Sequence, residues 1–162
     1  MTAADIGAIV NRVLALLQAR ERQVYAVTAE QLRRGLDAAI PVHHATLHVR
    51  MADIALLDSL AERDADDPAV AALLDALSWG MRVHISLHAR QLGALSVKKL
   101  ARLPLSLADH QGFRVWLHPG SVVSFRDVAG KDGWLVVPRK TVITPLASEA
   151  MQRRSLHLLR QE

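Results

Sequence analysis

The chain has 162 residues, of which 51% are hydrophobic and 22% charged, a composition typical of one globular domain with its own core. It contains no cysteine, which excludes disulfides, zinc–thiolate sites, iron–sulfur clusters and cysteine nucleophiles. No apolar run approaches the roughly 20 residues that a membrane span needs, and the N-terminus has no secretory signal pattern. We therefore expect a soluble cytoplasmic protein that makes no membrane contact.

Charge is distributed unevenly between the two halves of the chain. Residues 1–80 carry 7 Lys and Arg against 11 Asp and Glu, whereas residues 81–162 carry 13 against 5. The basic residues are spread over several predicted elements, with few aromatic residues between them. This pattern favours a surface for acidic protein partners over a nucleic-acid-binding surface.

The first predicted element is an amphipathic helix within residues 1–20. Thr2 is placed to cap its N-terminus, and Asp5 lies in the first turn, where the helix dipole favours a carboxylate. Two interpretations stay open, because its apolar stripe can pack on the chain's own domain or dock on another protein. The stripe consists of residues that recur at helical spacing: Ile6, Ile9, Val10, Val13, Leu14 and Leu17. After this helix, residues 21–162 are predicted to form a single α/β domain.

The next part of the chain alternates between strands and helices. Thr28 and Asp67 are placed as helix N-caps, and Asp67 is followed by a proline at the first helical position. Strand, helix and strand in this order form a crossover unit, which implies parallel pairing and a right-handed connection. In chain order the predicted elements are a strand and a helix within 24–36, a strand at 45–50, a helix at 52–64, a helix from Asp67 to Gly80 and a strand at 81–88.

The C-terminal part is predicted to close the sheet. A helix around 89–102 is expected to end at Pro104, where regular structure stops. The whole pattern predicts a three-layer α/β domain with a mostly parallel sheet, behind the N-terminal amphipathic helix. The later elements are strands at 112–119 and 134–145, a helical turn capped by Ser124 and Asp127 between them, a last helix that opens at Thr144, and a final edge strand in SLHLLR.

Histidine is the one plentiful metal ligand, but its spacing does not predict a metal site. His84 and His88 share one face of a predicted strand, yet an ideal strand places them about 13 Å apart. One ion with ligands at about 2 Å cannot bridge that distance. The strand is therefore interpreted as half-buried. We find no metalloprotease spacing, phosphate-binding glycine motif or nucleophile elbow, so no catalytic residue is predicted.

Two places could hold an anionic cofactor. The loop after His88 and Arg90 lies at the C-terminal end of a strand, where open α/β sheets bind ligands. The helix that starts at Thr144 offers free backbone amides. The sequence leaves open whether a flavin or nucleotide binds there or whether no cofactor is bound.

A short basic run is interpreted as a solvated face, and its last residue, Arg102, is well placed to bind a partner carboxylate. The run consists of Lys98, Lys99 and Arg102.

Four segments between residues 77 and 151 occur in a specific order and spacing: ALSWGMRVHISL, VKKLARLPL, LHPGSVVSFRDV and TVITPLASEA. Together they resemble the PduM family of propanediol-utilization bacterial microcompartment proteins. The ITPLA sequence is also similar to the C-terminus of other small microcompartment-associated proteins. That likeness implies a flavodoxin-like or flavoprotein-like sheet.

The resemblance implies a non-enzymatic assembly role that links shell and lumen components of a microcompartment. The implied partners are shell proteins and encapsulated enzymes, and no catalytic residue is carried over. The apolar stripe of the N-terminal helix resembles the short extensions by which cargo attaches to shell proteins, and the basic run at 98–102 is a second predicted contact. The alternative is a flavin- or nucleotide-binding protein or small enzyme of the microcompartment. Homo-oligomer formation is left open.

Overall fold

A seven-stranded sheet organises the protein, whose computed structural model describes residues 1–162. The strands are β1 Val24–Thr28, β2 Thr46–Ala52, β3 Arg82–Leu87, β4 Leu105–Asp109, β5 Arg114–Leu117, β6 Val122–Val123, β7 Gly133–Val137, β8 Val142–Ile143 and β9 Leu156–Arg160. The helices are α1 Ala3–Glu21, α2 Ala29–Arg33, α3 Ile40–His43, α4 Ile54–Ala61, α5 Pro68–Ser78, α6 Val97–Leu100, α7 Phe125–Val128 and α8 Pro145–Arg153, with a 3-10 helix at Ala89–Ala94.

The strands follow one another across the sheet in chain order. The order is β1-β2-β3-β4-β5-β7-β9, while β6 and β8 form a separate two-stranded sheet. Pairing is parallel everywhere except between β4 and β5, which are antiparallel. The predicted α/β class, the mostly parallel sheet and the N-terminal helix are confirmed, and β9 is the edge strand expected from SLHLLR.

Side-chain caps explain where several helices begin. Thr28 accepts a hydrogen bond from the backbone amide of Gln31, whose side chain accepts one from the Thr28 amide in return. Asp67 accepts from the amide of Ala69 at 2.9 Å, and a proline fills the first helical position. These bonds satisfy amide groups that a helix start otherwise leaves free. The helix starts predicted at both caps are confirmed.

Two apolar clusters hold the helices against the sheet. The larger cluster lies on one face of the sheet from β1 to β7, where Val49 and Ile85 pack with residues of α4 and α5 such as Leu57 and Leu73. The smaller cluster joins β7 and β9 to α7 and α8 on the other side of the sheet: Val123, Val128, Leu135, Val137, Ala147, Met151 and Leu156. Alternate residues of β7 face the two clusters, so helical layers flank the sheet on both sides at this strand.

The single helix predicted around 89–102 is wrong, because the segment is broken. A 3-10 helix over Ala89–Ala94 is followed by Leu95 in an extended conformation and then by α6. Gly93 lies inside the segment and lowers its helix propensity. Leu95 and Val97 are both buried although they are only two residues apart, which one regular helix face does not allow.

The strand prediction at 134–145 is also wrong. Strand β7 ends at Val137, because Pro138 has no amide hydrogen to continue the ladder. A turn follows, and β8 leaves the main sheet to pair with β6. The expected stop of regular structure at Pro104 is contradicted too, since β4 begins at the very next residue and pairs with β3 over five positions.

The C-terminal end of α1 is fixed to the domain. Arg20 Nε donates to the carbonyl of Pro41 at 2.7 Å, and the Arg20 carbonyl accepts from the amide of Ala45 at 3.1 Å. Glu21 forms an ion pair with Arg82 at 2.5 Å. Only Arg22 and Gln23 separate the helix from β1. The contacts that hold α1 therefore lie at its last turn, and the rest of the helix extends away from the domain.

Candidate docking surfaces

An exposed apolar surface runs along one side of α1. Its large apolar side chains retain between 48% and 62% of their full exposure: Ile6, Ile9, Val10, Val13, Leu14, Leu16 and Leu17. Neither core cluster includes a residue of α1. At 100° per residue these side chains cover an arc of roughly 160°, which is wider than the seam of a two-stranded coiled coil. An apolar face of this width fits a groove better than a single partner helix.

Six of these side chains were predicted from the sequence, and Leu16 was missed. Leu16 lies seven residues after Ile9, which is two helical turns, so the same periodicity identifies it. The N-terminal cap is present as expected: Asp5 N donates to Thr2 Oγ1 at 3.3 Å, and Thr2 N donates to Asp5 Oδ2 at 2.8 Å. The Thr2 hydroxyl also donates to Asp5 Oδ2 at 2.6 Å, and this bond together with the one from the Thr2 amide lowers the pKa of Asp5. The N-terminal end of α1 is thus capped by side chains of the chain itself.

The basic run on α6 is exposed but partly neutralised. Lys98 and Lys99 lie in α6, and Arg102 follows it at the surface. Lys99 Nζ forms an ion pair with Glu62 Oε1. The charges free to meet a partner carboxylate are therefore those of Lys98 and Arg102, which make no ion pair within the chain.

Two of the three residues proposed for a cofactor, His88 and Thr144, serve as helix caps, and the third, Arg90, is an exposed residue of the 3-10 helix. His88 Nδ1 accepts from the amide of Arg90 at 3.2 Å, and its ring stacks on that of His110 with centroids 4.1 Å apart. Thr144 Oγ1 accepts from the amide of Ala147 at 3.3 Å and caps α8. The capping atoms of both side chains are thus already engaged by the backbone.

One face of β2 to β4 carries a row of polar side chains in place of a helix layer. His48 and His84 are register partners whose ring centroids lie 4.9 Å apart. His48 Nε2 lies 3.0 Å from Ser86 Oγ, and His84 Nδ1 lies 2.8 Å from Ser106 Oγ. Both imidazoles are half-buried, as predicted for His84.

Burial and nearby positive charge act on these two imidazoles in the same direction. Burial lowers the pKa of His48, and the charge of Arg50 lowers it further. Burial also lowers the pKa of His84, with smaller contributions from His48 and Arg114. The positive surroundings disfavour a bound cation, and no group of three or more His, Asp or Glu side chains is arranged to hold a metal ion.

Asp109, at the end of β4, is the one buried carboxylate. Burial acts to raise its pKa, but hydrogen bonds from the Trp134 indole and from the amides of Phe113 and Gln111 outweigh burial, so the pKa is lowered. The indole donates at 3.0 Å and each amide at 2.9 Å. The carboxylate thus ties the turn between β4 and β5 to β7 and serves the fold.

No helix of the structure combines the length and the apolar content needed to cross a bilayer. Comparison with solved structures finds no match.

Sequence comparison places the chain among microcompartment proteins. A family model described as "Putative propanediol utilisation" matches residues 8–157. The chain is 38% identical over 163 residues to "Bacterial microcompartment assembly protein PduM" of Salmonella typhimurium strain LT2, covering all of both chains. It is 39% identical over 155 residues to the protein of the same name from Citrobacter freundii, covering 95% of each. The chain therefore belongs to the PduM family.

Proposed function

We propose that this protein is a non-enzymatic assembly component of a bacterial microcompartment of the propanediol-utilization type, and that α1 attaches it to a shell or lumen protein. The observation that carries the proposal is the apolar side of α1, which no part of the chain covers. Both relatives are named as microcompartment assembly proteins, which supports the same role and a location in the microcompartment.

The energy available from α1 suits a specific but reversible attachment. Burying four or five of its apolar side chains contributes about 1.5–3 kcal/mol each. After the entropy lost on association, an affinity in about the micromolar range remains. The helix is already capped by Thr2 and fixed to the domain at its last turn, so little further ordering is needed. Lys98 and Arg102 are a second contact that would add a smaller electrostatic contribution.

We also propose that the protein works without a resident cofactor. This is supported by the capping roles of His88 and Thr144, whose capping atoms already accept backbone hydrogen bonds. The alternative of a bound flavin or nucleotide is tested by the absorbance spectrum of the purified protein and by chromatography of a denatured extract. A flavin spectrum, or a nucleotide in stoichiometric amount, would overturn this part of the proposal.

The attachment is tested by charge substitutions on the two sides of α1. The double variant Val13→Glu with Leu17→Glu is expected to lower the amount of protein that co-purifies with microcompartments by more than about tenfold, because docking would bury two charged side chains. The matched control is Asn11→Glu with Gln18→Glu, which adds the same charge on the polar side. The control should co-purify like the wild type.

All four substituted positions are exposed, so both variants should unfold like the wild type. Thermal unfolding followed by circular dichroism checks this. Equal co-purification of the two double variants would contradict docking through the apolar side of α1. If both variants co-purified equally poorly, the added negative charge on α1 would explain the result, and docking through its apolar side would again be contradicted.

A further inference from the structure

The edge strand β9 has one open side. It pairs only with β7, and no strand lies beyond it. The amide of Gln161 donates to the carbonyl of Val137 at 3.0 Å, which fixes the alternation of the parallel ladder. The backbone groups of Leu159 therefore face β7, whereas those of Leu158 and Arg160 face outward. These outward groups are free to pair with another strand.

A groove runs along this open edge, between β9 and α8. It has a volume of about 490 Å³ and an apolar floor that includes Ile143, Met151, Leu156 and Leu158. Leu156 and Leu158 point to the same side of β9, yet Leu156 is buried while Leu158 retains 37% exposure. Helix α8 therefore covers Leu156 and leaves Leu158 accessible.

Two arginines lie in or next to the groove. Arg160 lines it, and Arg154 directly precedes Ser155, another lining residue, and forms no ion pair within the chain. Arg160 donates to the backbone carbonyl of Thr141, so no carboxylate neutralises its charge. Two copies of this edge placed side by side would bring like charges together, which disfavours a second copy as the occupant. An acidic segment complements Arg160 and Arg154.

We propose that β9 accepts an extended acidic segment of a partner protein as an eighth strand of the sheet. The main chain of the segment pairs with the outward groups of Leu158 and Arg160, and its alternate apolar side chains enter the groove beside α8. Its acidic side chains meet Arg160 in the groove and Arg154 next to it. Backbone pairing supplies the binding energy, and the groove and the charges select the sequence.

A synthetic peptide tests the proposal directly. The probe is a fluorescein-labelled octapeptide in which glutamate alternates with valine or leucine, titrated against the full-length protein and followed by fluorescence anisotropy. Replacing its glutamates with lysines should weaken binding by more than about tenfold, because Arg160 and Arg154 would then repel the peptide. Hydrogen exchange should show new protection at the amides of Leu158 and Arg160 when the acidic peptide is bound.

Two substitutions at one position separate the backbone from the side chain. Leu158→Pro removes the outward amide hydrogen and leaves pairing with β7 intact, so it should weaken binding by about tenfold or more. Leu158→Ala keeps that hydrogen and should weaken binding only about two- to threefold through lost groove contact. Thermal unfolding of both variants checks that the sheet is preserved. Should Leu158→Pro unfold the protein, a version of the acidic octapeptide that is N-methylated at alternate residues, and so lacks the amide hydrogens that would face β9, tests the same pairing and should bind about tenfold or more weakly.

Three outcomes would overturn the proposal. One is failure of the wild type to bind the acidic peptide, and another is equal binding by Leu158→Pro and the wild type. The third is dimerisation of the protein through β9, seen as a dimer that Leu158→Pro converts to a monomer. No residue of α1 lines the groove, so the peptide result and the microcompartment co-purification result can fail independently.

Discussion

The helices near the two ends of the chain show opposite relations between apolar content and burial. Helix α1 has 19 residues and seven large apolar side chains along one side, and it buries none of them. Helix α8 has 9 residues, and it buries Ala147 and Met151 completely or nearly so. The amount of apolar surface therefore does not decide whether a helix packs on its own domain. What decides it is whether the fold presents a complementary face.

Chain connection explains the difference. Helix α8 lies between β8 and β9, so strands at both of its ends hold it over the smaller cluster. Helix α1 is attached through its last turn alone, at Arg20 and Glu21. The one sheet face without helices carries polar groups such as His48 and His84, which an apolar stripe cannot use. The stripe thus finds no matching surface within the chain.

The largest expected effect is the difference in stability loss between two truncations of an apolar side chain, one in α8 and one in α1. Met151→Ala should lower the free energy of unfolding by about 2–4 kcal/mol, because it leaves a cavity in the smaller cluster. Leu14→Ala on α1 should change it by less than about 0.5 kcal/mol, because the side chain is exposed. Urea unfolding of both variants measures the contrast. Similar losses in the two would show that α1 packs on the domain in solution.

A smaller effect is expected from the helix caps. Thr144→Ala should cost the domain about 1 kcal/mol, since the amide of Ala147 loses its partner at the start of a packed helix. Thr2→Ala should leave the domain transition unchanged and lower the helical signal of α1 in far-ultraviolet circular dichroism. If Thr2→Ala shifted the urea midpoint as much as Thr144→Ala, α1 and the domain would unfold as one unit.

The smallest expected effect is a pH dependence of stability that comes from the polar face of the sheet, which no helix covers. Because the pKa values of His48 and His84 are lowered from 6.5, the unfolded chain binds more protons than the folded protein just below this pH. Their contribution to stability is complete above pH 6.5 and is lost as the pH falls towards the folded pKa values.

The urea midpoint should therefore decrease between pH of about 7.5 and about 5.5. The double variant His48→Gln with His84→Gln should reduce this decrease, whereas His43→Gln, at an exposed position, should not. An unchanged pH dependence in the double variant would show that the polar face does not couple to folding.

Features set by neighbouring residues could be predicted from the sequence. The caps at Thr28, Asp67 and Thr144 and the capping pair of Ser124 and Asp127 are all present, because a cap depends on residues within one turn. The apolar stripe of α1 follows from the same local periodicity. The resemblance that led to the family was likewise carried by short segments, and full-length comparison confirmed it.

Features set by distant parts of the chain could not be predicted. Leu95 and Val97 break the expected helix because the core takes both, and the core is built from other strands and helices. The pairing of β8 with β6, away from the main sheet, leaves no mark in the sequence around Val142. The same holds for the open edge of β9, since which strand lies at an edge depends on the order of all the others.

The firm base of α1 has a mechanical consequence. A helix of 19 residues is about 28 Å long, and the Glu21–Arg82 ion pair and the bond from Arg20 to Pro41 fix its direction at one end. In the proposed attachment through α1, a flexible tether would let the domain rotate freely around the docked segment, whereas a fixed helix would set both the distance and the angle between the domain and its partner. Copies bound side by side on a flat array would then all project their sheets with the same orientation.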